Sequence, residues 1–179
     1  PASKMVVLDQ PTVDSFLAME TVKDVSGVVT FPTLVTYQGL TGNANIQGLA
    51  PSYFLYTGTQ ASAGELFTNE EAAEDRNAVV ISSAMLKLFG VEDPEEVIGK
   101  TLTFRVFVPN EGSDQSTEVA LPKQYKIKGV TADAGNLAAA ITLEEFQSNF
   151  KIPYFDRVQV RVIDTKSLPI AQDAIIAKG

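Results

Sequence analysis

The stretch AVVISSAMLKLFGVEDPEEVIGKTLTF, from Ala78 to Phe104, carries the clearest local signals in the chain. Its first four residues form an apolar run, which predicts a short buried strand. Ser82 or Ser83 is placed to cap a helix over Ala84–Phe89, and Gly90 follows as a left-handed stop. The first half of this stretch therefore predicts a strand followed directly by a helix.

The second half contains Gly-Lys-Thr at 99–101, the final residues of the phosphate-binding loop of nucleotide hydrolases. That loop needs a glycine five residues before its Gly-Lys pair and a helix after it. Pro94 occupies the first position, and 101–108 alternates in hydrophobicity as a strand does. Asp93-Pro94 instead predicts a one-turn helix that Gly99 ends, with Lys100 near its negative end. We therefore expect no nucleotide binding.

Composition limits the possible functions. The 179 residues are 45% hydrophobic and 20% charged, which is typical of one ordinary globular domain or two small ones. The net charge is −8 and the basic residues are scattered, so the chain offers no electrostatic footprint for nucleic acid. The chain contains no His and no Cys, which excludes Ser-His triads, thiol nucleophiles and zinc sites of the usual ligands.

The two ends share a pattern that the middle lacks. The start predicts a helix carrying Val13 and Phe16, capped by Thr12 or Asp14, then a break at Ser26-Gly27 and a strand over Val28–Tyr37. The finish predicts an alternating strand over Arg157–Val162, then a helix capped by Ser167. We expect these halves to pair as one small α+β lobe, built from residues 1–39 and 155–179, with residues 40–154 inserted as a second lobe.

The middle reads as a mixture of strands and short helices. Residues 39–45 predict a turn, and 101–108 predict a strand with Leu102, Phe104, Val106 and Val108 on one face. A polar loop over 109–117 would join that strand to a returning strand over 123–130. Thr142-Leu-Glu-Glu145 fits a capping box at the start of another helix.

Three sets of residues are candidates for chemistry. Ser82 and Ser83 have no His base, and Leu86 stands where an S-x-x-K motif needs Lys, so helix capping is the favoured role. Two polar groups are candidate cation sites, although neither has calcium-loop spacing and a solvated surface is favoured: Glu70, Glu71, Glu74 and Asp75; and Asn110, Glu111 and Asp114. Tyr53, Phe54 and Tyr56 are a candidate partner patch, with core packing favoured. We predict no catalytic residue, no cofactor-binding residue and no metal ligand.

The ordered set of marks resembles a known family. Residues 78–104, followed by YKIKGVTAD at 125–133, resemble the periplasmic core domain of MacB/FtsX-type ABC transporter permeases. SGVVTFPTLV, GELFTNEEAAEDRNAVVIS, ITLEEFQ and DRVQVRVID resemble other parts of the same family in the same order.

The resemblance implies an α+β fold of two lobes, a small porter-like βαβ-type lobe from both chain ends and an inserted, strand-rich mixed α/β lobe. It implies a non-catalytic, extracytoplasmic part of a cell-membrane protein, here an excised soluble domain. Its partners would be the rest of the permease, a separate ATPase subunit or domain, and an adaptor protein. The family usually has a further strand after the position of Gly179.

Two other interpretations remain open at the sequence level. The chain fits a free-standing secreted or surface-anchored protein-binding module, which flanking transmembrane segments and a neighbouring ATPase would exclude. An acid-pair hydrolase is a third interpretation, but no two carboxylates stand in apolar surroundings. In either binding interpretation, loops 58–75 and 109–117 are the expected docking segments.

Overall fold

A computed structural model describes residues 8–68, 76–152, 154–164, 166 and 168–178. In this part of the chain there are five α-helices: α1 (Gln10–Leu17), α2 (Ser52–Thr57), α3 (Ala84–Phe89), α4 (Leu143–Asn149) and α5 (Leu168–Lys178). The same residues form nine strands: β1 (Val22–Tyr37), β2 (Leu40–Leu49), β3 (Ala61–Gly64), β4 (Ala78–Ser82), β5 (Thr101–Pro109), β6 (Ser116–Ala120), β7 (Tyr125–Thr131), β8 (Ala138–Thr142) and β9 (Arg157–Val162). The chain divides into two compact units, the first drawn from both ends up to Val29 and from Ile152, the second from Thr30 to Lys151.

The first unit combines α1, the first part of β1, β9 and α5. β9 pairs antiparallel with β1, with Val28 opposite Arg157 and Val22 opposite Val162. Val28 is completely buried, and Val13 and Phe16 of α1 are also buried. The predicted strand over Arg157–Val162 and the predicted helix after it are therefore confirmed. The proposed cap Ser167 lies outside the described residues.

The second unit is built on a sheet with the strand order β3-β7-β4-β8-β2-β1-β5-β6, in which β5 also pairs with β7. Strands β1, β2, β8, β4, β7 and β5 therefore form a closed circuit of hydrogen-bonded neighbours. β4 lies between β7, which is parallel to it, and β8, which is antiparallel. All five residues of β4 are buried, which explains why its sequence is a continuous apolar run rather than an alternating one.

The local signals between Ala84 and Gly99 are confirmed. Gly90 ends α3 in the left-handed conformation, with φ of 69°. The side chain of Asp93 accepts a hydrogen bond from the Glu95 N–H and so caps a 3-10 turn over Pro94–Val97. Gly99 follows at φ of 81°, a conformation that costs a glycine little because it has no Cβ.

Three sequence expectations for the first 45 residues are wrong in detail. The α1 cap is Asp9, whose Oδ1 accepts from the Thr12 N–H at 2.9 Å. The break expected at Ser26-Gly27 between helix and strand is absent, because α1 already ends at Leu17 and β1 runs from Val22 through Gly27, where the Phe155 ring packs in the place of a side chain. The expected turn over 39–45 reduces to Gln38–Gly39, since β2 already begins at Leu40.

The pairing of β5 also differs from expectation. The strand predicted over 101–108 is confirmed and extends to Pro109. Leu102, Phe104 and Val106 are buried as expected, whereas Val108 is only partly buried. Its main hairpin partner is β6, which begins within the predicted loop over 109–117 and is almost wholly exposed. β7 meets β5 only at Thr101 and Leu102. The exposed, polar composition of β6 concealed it, because a strand on a solvated edge needs no apolar face.

Candidate functional site

Glu145 is the one charged residue in the buried class among the residues that the structure describes. It lies in the first turn of α4, where Thr142 Oγ1 accepts a hydrogen bond from the Glu145 N–H at 3.3 Å. That half of the predicted capping box is confirmed. The carboxylate turns into the interior instead of reaching back to the cap, so the reciprocal half of the box is absent.

Three donors surround the Glu145 carboxylate. Lys123 Nζ lies 2.8 Å from Oε2, while Tyr125 Oη donates to Oε1 at 2.8 Å and Asn149 Nδ2 donates to Oε1 at 3.1 Å. Asn149 is one turn along α4, whereas Tyr125 begins β7 and Lys123 precedes it. A buried carboxylate is strongly destabilising unless it is paired and hydrogen-bonded, and this arrangement meets both conditions.

The electrostatics of the cluster hold Tyr125 in its neutral form. Burial raises the pKa of the Tyr125 phenol well above its ordinary value of 10.0, and the hydrogen bond to Glu145 and the negative charge of Glu145 raise it further. Tyr125 therefore remains a hydrogen-bond donor throughout the neutral range. With its carboxylate only 1% exposed and both oxygens engaged, Glu145 suits a structural tie between β7 and α4 rather than proton transfer with a solute.

The two candidate serines have separate structural roles. Ser82 is buried; its Oγ donates to the Asn136 carbonyl at 2.5 Å and accepts from the Ala138 N–H at 3.2 Å. It therefore fixes the loop before β8. Ser83 occupies the N-cap position of α3 as predicted, but its side chain makes no capping hydrogen bond. The sequence located this helix start correctly and assigned it the wrong chemistry.

The candidate cation groups gain no support. The first group, Glu70, Glu71, Glu74 and Asp75, lies outside the described residues. In the second, Asn110 Oδ1 accepts from Thr117 Oγ1 at 2.8 Å, and Glu111 Oε2 lies 3.9 Å from Lys151 Nζ. Within the described ranges, no three His, Cys, Asp or Glu side chains are grouped so as to hold a metal ion.

The aromatic candidates divide between core and surface. Phe54 is buried, with its ring centroid 5.8 Å from that of Phe67 and 6.1 Å from that of Tyr53. Tyr56 is 38% exposed and Leu55 is 75% exposed. Core packing is therefore confirmed for Phe54, while the far side of α2 presents apolar side chains to solvent.

Sequence reasoning missed the Lys123–Tyr125–Glu145 group as a unit. The only local signal was the capping-box spacing, which pointed to Glu145 but predicted a different partner. Lys123 and Glu145 are 22 residues apart, and no periodicity relates them.

A family model describes the chain almost from end to end. The model of the MacB-like periplasmic core domain matches residues 4–178. The chain belongs to this family. It is a periplasmic domain of a MacB-like ABC transporter permease, and such permeases work with ATPase subunits. Domains of this family are generally non-catalytic.

Solved structures show the same fold. The periplasmic region of MacB from Actinobacillus actinomycetemcomitans superposes with a TM-score of 0.70 at 16% identity, covering 97% of this chain and 74% of that one. The extracellular domain of the noncanonic ABC-type transporter YknZ from Gram-positive bacteria gives 0.67 at 16% identity, covering 92% and 78%. The mixed α/β, sheet-rich architecture of this MacB-like domain is therefore that of the family.

No curated protein sequence matches the chain significantly. No helix in the described ranges is long and apolar enough to cross a bilayer.

Proposed function

We propose that this MacB-like domain engages a substrate or a partner protein outside the cell membrane and relays ATP-driven conformational change. The observation that carries the proposal is the family match over residues 4–178. The contacts of Glu145 with Lys123 and Tyr125, which join α4 to β7, support the proposal because a relay needs structural elements that move together. The domain would act without a cofactor and without binding nucleotide itself.

The proposal includes the two lobes predicted from the sequence. Residues 1–39 and 155–179 would form the porter-like lobe, and residues 40–154 the inserted one. In the structure, the two compact units divide after Val29 and after Lys151.

The proposed docking segments are loops 58–75 and 109–117, where an adaptor or accessory protein would bind. The described part of the first loop follows the exposed Leu55 and Tyr56 and includes β3. The second narrows to residues 110–115, the exposed tip of the β5–β6 hairpin. Exposed hairpin tips tolerate sequence change and present backbone groups to partners.

The first test is the complete reading frame with its neighbours. A transmembrane helix before Pro1, three after Gly179 and an adjacent ATPase gene are expected. A secretion signal before Pro1 with a stop codon soon after Gly179 would overturn the proposal in favour of a free-standing binding module.

The second test uses the full permease with its ATPase in proteoliposomes. Replacing residues 110–115 by a Gly-Ser segment of equal length is expected to weaken transport or partner-stimulated ATP hydrolysis. Lys87→Gln, on the exposed side of α3, is the matched surface control. Equal activity of the loop variant and the control would exclude the hairpin tip as a docking segment.

A further inference from the structure

The chain passes between its two units twice, after Val29 and after Lys151. Within the second unit, an aromatic side chain stands near each passage: Phe31 is the second residue of the unit and Phe150 the second-last. Both are buried, and their ring centroids are 6.0 Å apart in an edge-on arrangement. Each ring also packs on Phe146, at 5.2 Å and 5.0 Å.

Phe146 is held firmly within the second unit. It is completely buried, and its ring lies so close to β2 that a Cβ on Gly48 would come within 2.6 Å of its Cγ. The preceding residue, Glu145, is tied to Lys123 and Tyr125. The backbone of α4 is therefore fixed from two sides at the point where the aromatic rings meet.

The same two chain segments are also joined within the first unit. The Asp156 N–H donates to the Val28 carbonyl at 2.8 Å. The ring of Phe155 lies over Gly27, where a Cβ would approach its Cδ1 to 2.3 Å. Each unit thus binds its two connecting segments to each other by contacts of its own.

We propose that Phe31, Phe146 and Phe150 form an anchor that makes the two connecting segments respond as one, with Glu145 fixing the anchor in the second unit. A displacement of α4 then shifts both connections together, and neither moves alone. A role of the anchor in relaying conformational change rests on the proposed function. The coupling of the two connecting segments does not depend on that function.

Amide hydrogen exchange on the 179-residue chain tests the anchor, comparing the native sequence with Phe150→Leu and Phe31→Leu. Leucine keeps the site apolar but removes the ring contacts. Each substitution is expected to raise the amide exchange rate about two- to tenfold in both segments, 31–34 and 146–150, and at the Asp156 amide. The matched control is Phe89→Leu, which removes a buried ring stacked on Tyr37 at 4.6 Å and should leave both segments unchanged.

Exchange that rises only beside the substituted residue overturns the proposal, as does an equal rise with Phe89→Leu. If Phe150→Leu fails to fold, Phe31→Leu carries the same test from the other segment. These results are independent of transport. Coupled exchange in a chain whose full-length permease does not transport would leave the anchor standing and remove the proposed function.

Discussion

The ion pair between Lys123 and Glu145 makes a quantitative prediction, because its two ends differ in exposure. The Glu145 side chain is 1% exposed, whereas that of Lys123 is 41% exposed. Glu145→Gln leaves a lysine that water can solvate and removes one charge-assisted hydrogen bond, so we expect a loss of about 2 kcal/mol of unfolding free energy. Lys123→Met leaves a buried carboxylate with only neutral donors, so we expect a loss of about 3 kcal/mol, the lower end for a broken buried pair.

The double variant distinguishes a buried pair from a surface pair. Once Glu145 is neutral, removing Lys123 should cost little more, so the interaction energy from the double-mutant cycle is expected at about 2–3 kcal/mol. The cycle is measured by urea unfolding at neutral pH, followed by far-UV circular dichroism. The surface pair Arg105–Glu118, with side chains 60% and 40% exposed, is the control and should give about 0–1 kcal/mol with glutamine substitutions.

Two outcomes would refute this reasoning. An interaction energy below about 1 kcal/mol would place Lys123–Glu145 among ordinary surface pairs. A larger loss for Glu145→Gln than for Lys123→Met would show that the buried carboxylate is not the group that needs its partner.

Three more substitutions test other parts of the structure. Because the folded pKa of Tyr125 is raised, the unfolded chain loses its phenol proton first and stability should fall as pH rises above 10.0; urea unfolding from pH 8 upward should show this component missing in Tyr125→Phe, and identical pH profiles would refute it. Gly129→Ala places a Cβ 2.1 Å from the Glu65 carbonyl oxygen and should lower the unfolding free energy by about 2–3 kcal/mol in urea. Gly135→Ala, whose Cβ would lie 3.6 Å from Asp133 Oδ1, should change it by no more than about 0.5 kcal/mol; equal effects would contradict the close approach. Thr142→Ala removes the α4 cap and should lower the unfolding free energy by about 1 kcal/mol, and an unchanged urea midpoint would argue against capping.

Local rules determined the helices and turns around Gly90 and Gly99. A capping aspartate, a proline in the first turn and a glycine at a left-handed position act over a few residues, so the sequence alone suffices to place them. The buried run Ala78–Ile81 and the alternation along β5 also predicted their strands. In these places the backbone preference and the hydrophobic pattern agree.

The pairing of the strands was decided by the tertiary structure. The sequence predicted a strand after residue 123, and β7 is there, but its neighbours β4 and β3 come from earlier in the chain. β6 pairs with β5 at an exposed edge of the sheet, so its sequence has no apolar face from which a strand could be predicted. A strand's identity follows from local pattern, whereas its partners depend on which edges remain free when the circuit closes.

The candidate site divides in the same way. The sequence determined that chemistry based on His or Cys is excluded, and it identified Thr142 and Glu145 as the start of a helix. Only the tertiary structure decided that the Glu145 carboxylate would leave its own helix end for Lys123 and Tyr125. The reason is physical: a local cap satisfies one backbone donor, but a carboxylate in the interior needs a cation, and folding brings Lys123, which lies just before β7, within 2.8 Å of it.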